Sequence, residues 1–310
     1  MKTYLNIFFL FLILCTACGN RKASDNQAED IKSDSTKIFA LPVIPALLNT
    51  PESRADYLVR HYWENVDFAD TTYLDHREVM EQAWVDYIDI MKLVPEETAI
   101  SAIKQMYKDA GKKKKVFFYF TDLAEKYLYD PNSPMWNEEL YIPVLDAMLE
   151  STVLDDTEKI LPKGRRELAE QNRPGRQAED FTYTLVSGKS GTLYGVKADY
   201  TLLFINNPGC HACEEGIKEL KQAPAINKEF EAGNLKILSV YPDEDKEEWE
   251  RHLSDFPKEW NGYDKKLMIK EKNLYDLKAI PTLYLLDKNK KVLLKDAVVG
   301  QIEQYLQQRQ

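Results

Sequence analysis

The sequence predicts an N-terminal all-α domain followed by an α/β domain, a mixed central sheet flanked by helices. Three observations predict this. Between about residues 40 and 161 apolar residues recur at helical spacing, and no run alternates as a strand does. From Phe181 the pattern changes to short apolar or alternating runs separated by amphipathic ones, which calls for a sheet covered on both faces. The length of 310 residues suits about two domains at ~100–200 residues each.

Residues 1–17 stand outside both units. Lys2 gives a positive start, Ile7 to Leu14 is an uninterrupted apolar run, and Thr16-Ala17 supplies small residues before Cys18. This is the layout of a secretory signal, and the run is too short to span a bilayer. A cysteine at the cleavage point resembles the lipobox of bacterial lipoproteins, with Cys15 where that family usually has Leu. The resemblance implies that residues 1–17 are a signal peptide and that Cys18 is lipidated. It places the protein in the cell envelope, on the periplasmic face, with the membrane touched only through the anchor. Gly19 follows, where Asp is the usual inner-membrane retention signal, so the outer membrane is favoured. The alternative is an ordinary cleaved signal with a free cysteine nearby. Residues 18–39 are polar with few apolar residues, too few to offset their ordering entropy, and are expected to form a flexible tether.

The helical domain, residues 40–161, follows. Thr50-Pro51-Glu52 is a helix start, with a capping residue, a proline at the first helical position and an acid in the first turn. Val79, Ala83, Trp84, Tyr87, Ile88 and Met91 form one stripe. Pro95 opens a further helix, with Gly111 placed to end it. Phe117, Phe120, Leu123 and Tyr127 belong to a third stripe, and Trp136, Leu140, Val144 and Met148 to a fourth, kinked or begun at Pro143. Aromatics at such spacing are core before they are a binding groove. The run Lys112 to Lys115 reads as a solvated turn after a helix end, and His61 and His76 lack metal-site spacing.

Residues 162–175, with Pro162, Gly164, Pro174 and Gly175, are expected to be a linker. The α/β domain then occupies 176–310. Residues 181–186 and 191–194 flank Ser187-Gly188-Lys189-Ser190 as a hairpin. Strands are expected at 200–205, 235–241, 282–286 and 291–294. Helices are expected at 213–222, from 225, at 245–253, around Leu274 and Leu277, and at 300–308.

The formal net charge of −10 argues against nucleic acid as a partner, since phosphate binding wants a basic patch. Of four cysteines, Cys15 and Cys18 belong to the leader and anchor, which leaves Cys210 and Cys213. No structural disulfide framework remains, and these two act with each other or with a partner in a compartment that permits disulfides. Cys210-His211-Ala212-Cys213 follows a buried strand and opens a helix. Cysteines at i and i+3 across a first helical turn lie about one disulfide span apart. Helix N-termini and C-x-x-C motifs lower thiol pKa values into the range ~3.5–7.5. Cys210 is therefore expected to be the nucleophile and the deeper Cys213 the resolving thiol.

With Ile280-Pro281-Thr282 entering a strand after this motif, residues 176–310 resemble the thioredoxin superfamily, and most nearly thiol-disulfide oxidoreductases of the TlpA/ResA type. The helical region resembles an uncharacterised domain found ahead of thioredoxin-like domains in bacterial lipoproteins. The resemblance implies an enzyme whose only redox group is a Cys210–Cys213 disulfide, with no added cofactor or metal. It implies that Pro281 is cis and faces the dithiol, flanked by Ile280 and Thr282, and that partners are envelope proteins bearing thiols or disulfides plus an electron donor or acceptor. Two departures stand out. Pro208-Gly209 replaces the usual Trp before the first cysteine, and Phe204 stands where thioredoxins carry a buried Asp. His211 is expected to favour the thiolate when charged. Two other readings are a soft-metal site at Cys210, Cys213 and His211, and a non-catalytic adaptor that binds a partner.

Overall fold

The computed structural model describes residues 39–258 and 260–309. The leader, Cys18 and nearly all of the expected tether lie outside the described residues.

The first half is helical. Helix α1 (Pro51–His61) starts at Thr50, whose hydroxyl accepts from the Ser53 N–H at 3.2 Å, with Pro51 in the first turn where its missing N–H costs nothing. Helices α2 (Arg77–Ile90), α3 (Glu96–Ala110) and α4 (Lys114–Ala124) follow, and α4 runs on into one π-helical turn, Glu125–Tyr129. Helix α5 (Glu138–Glu150) is capped by Asn137, which accepts from the Leu140 N–H at 3.1 Å, and it passes through Pro143. The aromatic stripes are core: Trp84, Tyr87, Tyr107, Phe117 and Phe120 are all fully buried. The Trp63 ring meets Tyr87 and Phe120 edge-on, with centroids 5.5 and 5.4 Å away.

The expected linker 162–175 is largely helical, since α6 spans Ile160–Glu170. Pro162 falls within its first turn, where proline is tolerated. Arg165 holds the helix against the bundle, bonding the Tyr141 hydroxyl at 3.0 Å and Glu125 at 2.7 Å with its guanidinium over the Tyr129 ring. Arg166 reaches Asp146 on α5 at 2.6 Å.

The second half holds a seven-stranded sheet in the order β2-β1-β5-β4-β3-β6-β7. The strands are β1 (Thr182–Leu185), β2 (Ser190–Thr192), β3 (Tyr200–Ile205), β4 (Leu235–Tyr241), β5 (Asn261–Tyr263), β6 (Thr282–Asp287) and β7 (Val292–Leu294). Strand β4 runs parallel to β3 and β5, and the other pairs are antiparallel. Alternation along β3 divides the core. Leu202 and Phe204 face helices α7 (His211–Gln222), α8 (Pro224–Glu231) and α11 (Val299–Gln307), while Leu203 and Ile205 face Phe181 and Tyr275. Two expectations fail here. Strand β5 was not expected, because Asn-Gly in a three-residue strand reads as a turn. Leu274 and Leu277 are not helical; the short helix is α10 (Met268–Glu271), after α9 (Lys246–Arg251), and Leu274 and Leu277 pack as single apolar contacts in the loop before β6.

The halves are joined by more than the chain. The backbone at 175–178 hydrogen-bonds along β7: Gly175 N–H to Val292 O, Val292 N–H to Arg176 O and Ala178 N–H to Lys290 O, each 2.8 Å. Buried Asn172 donates to Leu274 O at 2.7 Å and accepts from the Glu179 N–H at 2.8 Å. Glu138 at the start of α5 pairs with Lys295 at 2.5 Å, with side chains 9 % and 4 % exposed, so this ion pair is dry.

Candidate functional site

The site grows from the end of β3. Asn206, 3 % exposed, donates through Nδ2 to Ser239 Oγ at 2.7 Å and to Val240 O at 3.2 Å, which fastens the strand end to β4. The chain then turns through Pro208-Gly209. Gly209 has φ +68°, a conformation L side chains rarely adopt, and a Cβ there would sit 3.5 Å from the His252 ring. Cys210 caps α7: its Sγ accepts from the Cys213 N–H at 3.4 Å, so the sulfur lies where the helix presents unpaired N–H groups.

The two thiols differ in surroundings. Cys210 is half-buried, whereas Cys213 is 1 % exposed. Burial, and then the hydrogen bond with Cys210, push the Cys213 thiol up to about 12. Cys210 Sγ lies 3.9 Å from the carbonyl of Ile280, and the Ile280–Pro281 peptide is cis. Thr282 opens β6 opposite Ile205 and donates from Oγ1 to Ala279 O at 2.5 Å, which closes the loop on itself. Gly216 in α7 lets the helix pass close to this loop, since a Cβ there would meet Phe204 at 3.4 Å and Pro281 at 3.9 Å.

Thus Cys210, Cys213, Ile280, Pro281 and Thr282 come together. His211 does not join them: its side chain is 82 % exposed and its ring pairs with Glu215 at 3.5 Å. Phe204 is fully buried in the core that also holds Cys213, so an apolar ring packs where the thioredoxin pattern has a carboxylate. Among the described residues no group of three or more His, Cys, Asp or Glu side chains is arranged to hold a metal ion.

Two features escaped sequence reasoning. His252 stands beside Gly209 between Glu248, 3.1 Å from Nε2, and Asp255, 2.7 Å from Nδ1. The turn 131–136 of the helical half faces the Pro281 loop across a cleft of about 370 Å³. Neither has a local sequence signal, because both depend on how distant segments dock.

A family model described as Domain of unknown function (DUF5106) matches residues 17–172, and one described as Thioredoxin-like matches residues 198–292. A search of curated proteins finds no match. Among solved structures, a thioredoxin-like protein from Bacteroides caccae is 61 % identical, with a TM-score of 0.86 over 88 % of this chain and 99 % of that one. The C-terminal domain of an uncharacterized protein from Bacteroides fragilis is 66 % identical over 44 % of this chain and 98 % of that one, with a TM-score of 0.43. A domain of a possible thiol-disulfide isomerase from Cytophaga hutchinsonii is 28 % identical over 45 % of this chain and 95 % of that one, with a TM-score of 0.40.

Proposed function

This chain belongs to the family of the Bacteroides caccae thioredoxin-like protein, with a DUF5106 region ahead of a thioredoxin-like domain, and on that footing we propose that it is an extracytoplasmic thiol-disulfide oxidoreductase acting on partner proteins. The observation that carries the reading is the asymmetry of the dithiol. Cys210 is accessible at a helix N-terminus, and Cys213 is held as a buried thiol one turn further on.

The chemistry follows from that asymmetry. The Cys210 thiolate attacks one sulfur of a partner disulfide. The partner S–S bond breaks, a Cys210–partner disulfide forms, and the released partner sulfur takes a proton. Cys213 then gives up its proton and attacks Cys210 Sγ. The Cys210–Cys213 disulfide closes and the partner departs as a dithiol, two electrons richer. Run backwards, the same steps oxidise a partner. An electron donor or acceptor in the envelope resets the pair, no other cofactor takes part, and a lipid on Cys18 tethers the protein to the membrane, the outer one by the Gly19 signal.

Trapping tests this. Cys213→Ala removes the resolving thiol and is expected to accumulate mixed disulfides with envelope proteins, separable on non-reducing gels. Cys210→Ala is expected to trap few. Equal trapping by both variants would refute the assignment.

A further inference from the structure

We propose that the helical half forms the second wall of the substrate groove, and that it selects extended cysteine-bearing segments with apolar side chains next to the cysteine. This rests on the thiol-disulfide reading and deepens it. The cleft between the halves has Pro281, Ala297 and Val298 on one side and Pro131, Pro134 and Trp136 on the other. It adjoins the reactive sulfur through the chain itself, since Cys210 Sγ lies against Ile280 O, one residue before Pro281.

The occupant follows from three properties. A volume of about 370 Å³ accommodates a few side chains, not the face of a folded domain. Among the described residues the Ile280 N–H has no hydrogen-bond partner, so a strand laid along the loop finds a donor there, as in β-augmentation. About half of the lining is proline, tryptophan, alanine and valine, the charged part is Lys278 already paired with Asp276 and Asp296, and Val298 is 63 % exposed.

The wall is fixed to the loop it faces. The Lys278 ammonium sits 5.4 Å from the Tyr129 ring centroid and 5.5 Å from that of Trp136, both on the helical half. Lys278 also pairs with Asp276 at 2.7 Å and Asp296 at 3.5 Å. The residue three before Pro281 is thereby plugged into the other half. The helical half thus becomes a specificity element of the redox site.

The test uses the full chain and two decapeptides with a central cysteine activated as a thionitrobenzoate disulfide, one flanked by Leu and one by Asp. The wild type is expected to release thionitrobenzoate from the Leu peptide about tenfold faster than from the Asp peptide. Trp136→Ala is expected to bring the ratio within twofold, and Pro134→Lys, at an exposed position, to shift it towards Asp. Ratios unchanged in both variants overturn the proposal. Reaction of the wild type with free dithionitrobenzoate separately reports the thiol; if that fails, the oxidoreductase reading falls. Photocrosslinking judges the groove without any thiol step. A Leu peptide with Ser for Cys and an adjacent benzoylphenylalanine should label residues 131–136 in Cys210→Ser, and labelling elsewhere overturns the groove.

Discussion

Cys213 is the residue whose surroundings speak most directly about reactivity. Burial and the hydrogen bond with Cys210 push its thiol up to about 12, which favours the thiol over the thiolate while the pair is reduced. Iodoacetamide applied to the reduced native protein between pH 6 and 9 is therefore expected to label Cys210 and leave Cys213 unlabelled, as read by peptide mass mapping. Comparable labelling of both would contradict the described burial. The pair, and the Ile280-Pro281-Thr282 loop beside it, were legible in the sequence because each is a contiguous motif tied to a strand end or a helix start. His252 and Lys278 were not, because nothing in their own neighbourhoods marks them, and Trp136, expected on a helical stripe, lies instead in the turn before α5. The turn at Gly209 belongs to the same lesson. A glycine before the cysteine is readable as a turn, whereas its contact with a histidine 43 positions later is a product of docking.

Among the elements, the helices were read from either a terminal signal, as at Thr50-Pro51 for α1 and Pro95 and Gly111 for α3, or an apolar stripe, as in α2 and α4. The strands β3 and β4 were read to the residue because buried strands are unbroken apolar runs. Helix α6 was missed because Pro162 and Gly164 outweighed its thin apolar face. What holds it is a charged side chain, Arg165, on Glu125 and two tyrosines. The hydrogen bond and charge of Arg165 hold the Glu125 carboxyl below its ordinary pKa of 4.5, against a smaller effect of burial. A lowered carboxylate pKa contributes stability that is fully present above about pH 5 and is lost as pH falls through the folded value. The pair is partly open to solvent, so the contribution is about 0.5 kcal/mol. Glu125→Gln is expected to lower the thermal midpoint by one or two degrees at pH 7. The difference from the wild type should vanish near pH 3; a difference that persisted there would assign the cost to packing.

At the scale of the whole molecule, the two halves share a dry ionic junction. Glu138 carries a raised pKa because burial disfavours its charge, and Lys295 offsets only part of that. Lys295 is 4 % exposed and has no other carboxylate within an ion-pair distance among the described residues. Lys295 also donates to Gln171 O at 2.9 Å, so removing Glu138 leaves a buried ammonium with backbone carbonyls but no counter-charge, at a cost of about 3 kcal/mol. Glu138→Gln is expected to lower the urea midpoint accordingly with an unchanged slope, while Glu138→Gln combined with Lys295→Met should recover most of the loss. A single variant within 0.5 kcal/mol of the wild type, itself about the noise of such a measurement, would mean that the junction is wet. This coupling was beyond the sequence, where Glu138 reads as one more acid in a first helical turn.

The backbone at 175–178 that lies along β7 has one more consequence. That segment leaves the helical half, yet it occupies the outer rim of the sheet. A fragment beginning at Phe181 would carry the whole dithiol site but leave the N–H and C=O groups of β7 bare, a template for strand-to-strand self-association. One beginning a few residues earlier, at Pro174, keeps its own cover. The sealing edge thus comes from the residues just ahead of β1, and a cut that spares it falls before Pro174 rather than at Phe181.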